Sequence, residues 1–442
     1  IMASTRLTRS ITGSNAKKAT LSFWIKRGAL GGSAYVVFTN RIDASNDTLV
    51  RFTSDLIDFK DYQSGSNVGR LETTQVFRDT SAWYHIVISI DTTLGTADDR
   101  QKMYVNGEQI TSFASRTNYA QDTVLNINKT GTMEIGANNG ADYFDGLMSY
   151  MAVVDGTAYD ASYFGETNAA TGIWKIKTSP SVTYGTNGFF LKMDTTSPGS
   201  DTSGNDNTFT ASGTPTLAQD NASNNFTTLN PLNAYYTNST FSNGNTTFAS
   251  GSSYSGTTAN ILLSTGKWYW EGKPISKDGD GDNYVFGIQG QEATGTNQFV
   301  GSQAFGWMYY GASGQLYNNN SGASYGDTFT AGDIIGVALD CTNNKLYFSK
   351  NGTFILSGNP STGANGISIT APASVSLGGY YPSQTFWTGN SGTFSMNFGN
   401  GFFGVTAVAS SNADAAGHGL FEYAVPTGYF TLNTKNLNTY GG

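Results

Sequence analysis

Apolar and polar residues alternate along most of the chain, in short runs separated by turn-forming residues. A period of two predicts β-strands that bury one face and expose the other. The alternation is clearest over Thr20–Ile25, Trp83–Ile90 and Gln101–Val105. Only one short helix is predicted, around Asp160 to Gly165. The pattern therefore predicts an all-β fold.

Two hairpins are predicted from Asn-Gly pairs, which suit the tight turns between antiparallel strands. Asn106-Gly107 follows the strand Gln101–Val105, and the chain continues as Glu108–Ile110. Asn351-Gly352 follows Lys345–Lys350 in the same way. Both halves of the chain thus carry the same hairpin pattern.

The 442 residues exceed one ordinary β-sandwich and predict two domains. The stretch from 195 to 256 is rich in Ser, Thr, Asn and Gly and contains Pro198, Pro215 and Pro231. We therefore place the boundary near residue 215. The expected architecture is two antiparallel β-sandwiches, over residues 1–214 and 215–442.

Composition supports this fold and narrows the function. Charged residues form 13% of the chain, against about 25% in an average soluble domain. The 27 Phe, 25 Tyr and 7 Trp supply enough apolar surface for two cores. A net charge of −8 without any basic run argues against nucleic acid and anionic membranes as partners. Membrane insertion is not expected either, because no apolar stretch approaches the roughly 18 residues needed.

Cysteine use and the N-terminus bear on localisation. Cys341 is the only cysteine, so no internal disulfide can form. The first residues, Ile1 to Arg6, lack the apolar core of a signal peptide. The surface is nevertheless rich in the small polar residues typical of extracellular proteins. Both features are expected of a protein made in a host cytoplasm that works outside the cell, as virion proteins released by lysis do.

The first half resembles laminin G-like domains of the concanavalin A-type jelly roll. Three segments carry the likeness: Leu21–Lys26, the strand from Trp83 with the hairpin at Asn106-Gly107, and Tyr143–Tyr150. Each motif is weak by itself, and their order and spacing over about 170 residues make the match specific. The resemblance implies a sandwich that binds glycans or proteins.

The second half resembles the SPRY domain. The likeness rests on Gly266–Glu271, Val285–Ile288, Gly332–Asp340 with Leu346–Gly352, and Met396–Gly399. This resemblance implies a sandwich that binds peptide loops. The combination of both domains, with the bridging segments Asp201–Asn207 and Asn225–Leu232, is similar to virion proteins of marine and cyanobacterial phages.

Catalysis is not expected from these residues. The chain has two histidines, of which His85 lies in an apolar strand and is expected to be packed or hydrogen-bonded, and His418 is expected to be exposed. One cysteine and two distant histidines do not make a zinc site. Concanavalin A-type glycosidases need a close carboxylate pair, and Glu134, Glu271 and Glu422 lack acidic neighbours at the required spacing.

Calcium is the one cofactor that the sequence leaves open, because the chain has two acidic loops. Asp278, Asp280 and Asp282 alternate with glycine, and Asp194 precedes Asp201. Carboxylates spaced by two can converge on a hard cation when the backbone loops. We favour ordinary polar turns in both loops, because Asp and Gly are turn residues and no EF-hand pattern is present.

Exposed aromatic rings beside amides suit sugar binding, because the ring face stacks while the amide bonds hydroxyls. Tyr310, Tyr317, Asn319 and Trp387 have this character. Alternate residues in these strands must face the core, so each of the four has packing as its competing explanation.

The sequence thus predicts a non-enzymatic phage virion surface protein: a fibre, knob or appendage subunit that attaches to a host-surface polysaccharide or protein. One alternative is a capsid or tail decoration protein that binds only virion neighbours. Another is a secreted bacterial adhesin, which the missing signal peptide disfavours. Association into homo-oligomers is left open.

Overall fold

The computed structural model describes residues 5–32, 34–169, 171–194, 197–234, 239–251, 255–277, 282–292, 299–386 and 391–441. The chain divides into two compact units: residues 1–217 with 221–223, and residues 218–220 with 224–442. The predicted division between residues 214 and 215 lies just before this crossing. Each unit is built almost wholly from antiparallel strands, which confirms the predicted all-β fold.

The strands of the first unit are β1 (Arg6–Ile11), β2 (Lys18–Arg27), β3 (Tyr35–Asp43), β4 (Asn46–Thr53), β5 (Leu56–Gln63), β6 (Ser66–Val76), β7 (Tyr84–Asp91), β8 (Gln101–Val105), β9 (Glu108–Ile110), β10 (Phe113–Thr117), β11 (Gly131–Ile135), β12 (Gly146–Asp155), β13 (Gly165–Thr167), β14 (Trp174–Ile176), β15 (Phe189–Leu191) and β16 (Thr210–Ser212). Single 3₁₀ turns lie at Ala97–Asp99, Asn126–Asn128 and Ala161–Tyr163. The last of these stands where the sequence predicts a short helix.

Two sheets face each other in this unit. One has the strand order β10-β6-β5-β4-β3-β11-β1-β16, and the other β15-β12-β2-β7-β8-β9. Alternate residues of both sheets fill the core between them, as the period of two requires. Its members include Phe23, Phe38, Val50, Phe59 and Ile88. The predicted hairpin at Asn106-Gly107 joins β8 to β9, with Val105 opposite Glu108.

The outer face of the second sheet is covered by the unit's own chain. Val87, Ala152 and Val154 point away from the main core and pack against Phe164 and Tyr184, which follow β12 in the chain. On the outer face of the other sheet, Arg51 of β4 is partly exposed and pairs with Asp58 of β5, whereas the next residue toward the N-terminus, Val50, is buried in the core.

The strands of the second unit are β17 (Leu229–Ala234), β18 (Ser239–Ser242), β19 (Thr247–Ser250), β20 (Ser255–Ala259), β21 (Lys267–Lys277), β22 (Tyr284–Gln289), β23 (Gly306–Tyr310), β24 (Gln315–Asn318), β25 (Ser321–Ser324), β26 (Ile335–Asp340), β27 (Lys345–Lys350), β28 (Thr353–Phe354), β29 (Ile367–Ser368), β30 (Tyr381–Phe386), β31 (Gly392–Asn397), β32 (Phe402–Phe403), β33 (Thr406–Ala407) and β34 (Phe430–Thr431). Two 3₁₀ turns lie at Ile355–Ser357 and Pro372–Ser374, and one α-helix, α1, at Thr434–Tyr440.

This unit is also a sandwich. One sheet has the order β17-β20-β30-β22-β23-β24-β25; the other runs β18-β19-β31-β21-β26-β27-β28, with β29 beside β27 and β34 beside β21. The core between them includes Trp268, Trp270, Phe286, Val337 and Phe348. The predicted Asn351-Gly352 hairpin joins β27 to β28.

Helix α1 is absent from the sequence-based prediction, because Thr, Asn and Tyr are weak helix formers. The helix forms because tertiary contacts compensate for this weakness. The side chain of Asn433 caps it by accepting from the backbone N–H of Asn436 at 3.0 Å. The amide of Asn436 is itself buried and donates to Asp414 at 2.7 Å.

Candidate functional site

Two of the predicted binding residues share the outer face of the second unit's β22–β23–β24 sheet. Val285 lies opposite Tyr310, and Met308 lies opposite Tyr317. Directly paired residues point to the same side of a sheet, so these four form one patch. Their neighbours point inward, as the buried Tyr309 in the core shows.

We call this surface the Tyr317 patch: Val285, Phe299, Met308, Tyr310 and Tyr317. The Tyr317 ring meets Phe299 edge to face at 6.0 Å and Tyr310 at 6.2 Å between ring centroids. Both tyrosines are half-buried. Each ring is therefore packed over most of its surface and only partly exposed.

The tyrosine hydroxyls are held by amide side chains. Tyr317 Oη donates to Gln315 Oε1 at 3.0 Å, and Tyr310 Oη donates to Asn283 Oδ1. The rings are thus fixed in orientation before any ligand arrives, which lowers the entropy lost on binding.

Asn319 lies beside the patch, in the turn between β24 and β25. It and Asn320 both take left-handed backbone angles, with φ of 49° and 58°, as a type I′ turn requires. Their backbone N–H groups donate to Gln303 and Gly301 at 3.2 and 2.9 Å. The side chains of both are exposed. Trp387, the fourth predicted residue, lies outside the described residues.

The acidic loop before β22 is described only in part, since Asp278 and Asp280 lie outside the described residues. Asp282 accepts from Thr330 Oγ1 at 2.8 Å and pairs with Lys277 at 3.2 Å. Its carboxylate is therefore engaged by the protein's own side chains.

Asp201 organises the second acidic loop. One oxygen accepts from the N–H groups of Phe190 and Ser203, and the other from the N–H of Asn207 and the Ser203 hydroxyl, each at 2.8 Å. Asp194 is exposed. Across the described ranges, no three acidic, histidine or cysteine side chains are grouped to hold a metal. The Asp201 geometry is that of an Asx-type turn.

His85 is buried in the first unit, which confirms that it is a packed residue. Its Nε2 lies 2.9 Å from Ser22 Oγ, and its Nδ1 accepts from Trp174 Nε1 at 3.0 Å. The ring stacks on Trp24 at 4.6 Å. Complete burial lowers the pKa of His85 to about 3, so the ring is neutral and donates from Nε2.

His418 is not exposed, contrary to the prediction from its Gly/Ala-rich surroundings. It is half-buried, and its Nδ1 lies 3.0 Å from Asn436 Oδ1 on helix α1. The sequence could not show this, because α1 itself forms only through tertiary contacts.

Comparisons with known proteins match each half of the chain to one domain family. Residues 4–161 match the concanavalin A-like lectin/glucanases superfamily. Residues 267–399 match the SPRY domain. The chain contains a concanavalin A-like domain followed by a SPRY domain.

The curated relatives match about a fifth of this chain. Ran-binding protein 9 of Danio rerio is 37% identical over 95 residues, which is 21% of this chain and 15% of that protein. The kinase splA of Dictyostelium discoideum is 30% identical over 78 residues, 18% of this chain and 3% of that protein. Among solved structures, the SPRY domain of human HERC1 has 20% identity and a TM-score of 0.31, covering 38% of this chain and 96% of that one.

Residues beyond the SPRY match complete the outer face of its β21–β26–β27 sheet. Phe421 and Tyr429 pack against Tyr269, Ala338 and Tyr347. These aromatic residues cover strand positions that would otherwise face water. The SPRY domain of this chain therefore includes its C-terminal segment as a structural part.

Glu271 fastens this segment to the sheet. Its carboxylate accepts from the N–H groups of Glu422 and Tyr423 at 3.0 and 2.9 Å, and from Tyr269 Oη at 3.1 Å. Burial raises the pKa of Glu271 to about 7, although the hydrogen bonds oppose the rise. Sequence patterns carry no signal for this role, because the partners lie about 150 residues away.

No helix in the described part of the chain is long and apolar enough to cross a membrane.

Proposed function

We propose that this chain is a non-enzymatic attachment protein of a phage virion surface, in which the SPRY domain contacts a host-surface protein or glycan through the Tyr317 patch. The observation that carries the proposal is the geometry of Tyr310 and Tyr317: two half-buried, oriented rings beside an exposed Asn-Asn turn. Tyrosines offer large contact area at low entropic cost and are enriched where proteins bind partners.

The relatives support a protein partner. Ran-binding protein 9 is named for a protein that it binds, and it is 37% identical to this SPRY-containing chain over 95 residues. That partner belongs to the relative. For this chain the name supports only the use of the SPRY domain as a recognition surface.

Three buried acid–base groups support a non-enzymatic role. His85 is buried with both nitrogens bonded, and the Glu271 carboxylate binds its own chain. Asp61 is also buried, accepting from Asn126 N–H and Tyr119 Oη at 3.1 Å each. These groups serve folding, since a catalytic group must reach its substrate.

Two experiments test the proposal. In the first, phage particles are labelled with gold-tagged antibody to this chain. In the second, purified protein is sedimented with host cells. We expect gold on the outside of particles, cosedimentation with cells, and no new reducing ends. A single site should bind weakly, with a Kd near millimolar, which corresponds to a binding free energy of about 4 kcal/mol. Many copies on one particle would supply useful attachment.

The patch is tested with Tyr317→Ala and the milder Tyr317→Phe, using Tyr163→Ala in the first unit, where 42% of Tyr163 is exposed, as the matched control. Tyr317→Ala should abolish cosedimentation while circular dichroism stays unchanged, and Tyr317→Phe should retain it. Reducing ends released from host polysaccharide would refute the non-enzymatic role. If the protein binds tightly to capsid or tail proteins and does not bind cells, the alternative role as a decoration protein is favoured.

A further inference from the structure

Strand β25 forms an open edge of the second unit's β17-β20-β30-β22-β23-β24-β25 sheet. All four of its residues are exposed, and no described strand pairs with its outer side. Free N–H and C=O groups on an edge pair readily with another strand, and proteins usually guard such edges with charges, proline or bulges. At the opposite edge of this sheet, β17 contains Pro231 and an irregular register. β25 has only Ser, Gly and Ala and pairs regularly with β24.

The tight turn between β24 and β25 fixes which backbone groups face outward. Ser321 closes this two-residue turn opposite Asn318, and the closing pair of such a turn exchanges hydrogen bonds. Bonded and non-bonded pairs then alternate along the antiparallel ladder. Ala323 is therefore the next residue bonded to β24, and the N–H and C=O groups of Gly322 and Ser324 point away from the sheet.

These outward groups are complementary to the same strand of a second copy. When two β25 strands run antiparallel about a two-fold axis at Ala323, Gly322 of each copy lies opposite Ser324 of the other, and both pairs are hydrogen-bonded. No like charges meet within the paired strands, because β25 has no charged residue. The same register places the exposed Asp327 beside the exposed Asn319 of the second copy, whose amide can donate to the carboxylate.

The side chains on both faces of the sheet also fit this pairing. On the inner face, Leu316 packs against the core and lies opposite Ala323, so two copies form one apolar row of Leu316, Ala323, Ala323 and Leu316. On the outer face, Tyr317 lies opposite Gly322, and its Cζ would be 2.7 Å from a Cβ at that position. The Tyr317 ring therefore covers the edge strand and reaches toward Ser324 of the second copy.

We propose that the chain forms a two-fold dimer in which β25 pairs with β25 of a second copy. The two sheets then become one continuous sheet. Because Gly322 and Ser324 share the face of Tyr317, the two Tyr317 patches lie on the same surface of that sheet. A four-residue strand buries less than the roughly 1,000 Å² of a stable interface, so we expect a weak dimer that forms at high local concentration. Dimerisation goes beyond the proposed function and does not depend on it.

Cysteine cross-linking of the purified full-length protein tests the register. Opposed residues of a non-bonded pair have Cα atoms about 4.5 Å apart, within the disulfide range of about 4.4–6.8 Å. With copper–phenanthroline as oxidant, Ala323→Cys should form a disulfide dimer at least about tenfold faster than Ser321→Cys, the matched control on the same exposed strand. The native Cys341 is buried, so the wild type should not cross-link. Equal rates for the two variants would overturn the proposed pairing.

Sedimentation velocity tests whether β25 holds the dimer. The sedimentation coefficient of the wild type should rise toward that of a dimer between about 1 µM and about 500 µM. Ser324→Pro removes an outward N–H and keeps the bonds to β24, and Ala323→Lys places two like charges at the axis. Both variants should stay monomeric over this range. Ala211→Lys, the same substitution on the exposed edge strand β16 of the first unit, is the matched control and should dimerise.

A wild type that stays monomeric at the highest concentration, or a dimer that persists in both variants, would overturn the proposal. Circular dichroism checks that each variant folds, and Ala323→Lys keeps the test decisive if Ser324→Pro does not fold. Neither assay uses host cells, so failure of the dimer is distinguishable from failure of cell attachment through the Tyr317 patch.

Discussion

Trp174 donates a hydrogen bond from Nε1 to His85 Nδ1 at 3.0 Å across 89 residues of chain. The bond fixes the tautomer of His85, because Nδ1 must accept and Nε2 must then carry the hydrogen that faces Ser22. It also ties strand β14 to the outer face of the sheet that contains β2 and β7. His85 therefore has a structural role: its hydrogen bonds hold parts of the first unit together.

The neutral His85 should make the first unit sensitive to acid. Its pKa is about 3 in the folded unit, against 6.5 for an unperturbed histidine. The unfolded chain therefore binds an extra proton between these values, and stability is lost as the pH falls below 6.5, by up to about 1.4 kcal/mol per pH unit. Urea titrations from pH 7 to pH 4 should show this loss, and His85→Gln, whose amide can serve both neighbours, should lessen it.

The unfolding free energies of His85→Gln and the wild type must be compared at each pH, because Asp61 changes the stability in the opposite direction. Burial raises the pKa of Asp61 to about 6 from 3.8, so its contribution is lost as the pH rises through that range. The same pH dependence in both proteins would show that His85 does not titrate as described.

Glu271 should give the SPRY unit the opposite pH dependence. The pKa of Glu271 is about 7 in the folded unit, above the ordinary 4.5. Its contribution to the unfolding free energy is therefore fully present below pH 4.5 and is lost as the pH rises to 7. The upper limit of this loss is about 3 kcal/mol. Glu271→Gln should remove this decline in the unfolding free energy, and the exposed Glu292→Gln should keep it. A decline that persists in Glu271→Gln would contradict the assignment.

Arg27 and Asp55 form a buried ion pair whose disruption should be costly. Arg27 Nη1 lies 2.8 Å from Asp55 Oδ1, and both residues are buried. Asp55→Asn leaves the guanidinium buried without a counter-charge and should lower the unfolding free energy by about 3–5 kcal/mol. Arg78→Ala removes only the exposed partner of Asp55 and should cost less than about 1 kcal/mol. Equal losses in the two variants, measured by urea unfolding, would argue against a buried pair.

Asp201 should stabilise its loop without calcium. Its oxygens already accept four hydrogen bonds from Phe190, Ser203 and Asn207. Asp201→Ala should lower the unfolding free energy by about 2 kcal/mol or more. The melting temperature of the wild type should be the same in EDTA and in calcium, whereas a ligand bound only by the native state would raise it. A melting point that falls in EDTA would restore the calcium hypothesis.

The sequence by itself determined the all-β fold, the hairpins at Asn106-Gly107 and Asn351-Gly352, and the order of the two domains. These are local properties: a period of two, a turn dipeptide and short motifs are readable within a few residues. The tertiary structure decided which side chains meet. Strand register places Tyr310 against Tyr317 and sets Tyr317 opposite Gly322, while Glu271 finds its partners about 150 residues away. Such neighbours depend on pairing between distant strands, where a shift of one residue would turn each side chain to the other face.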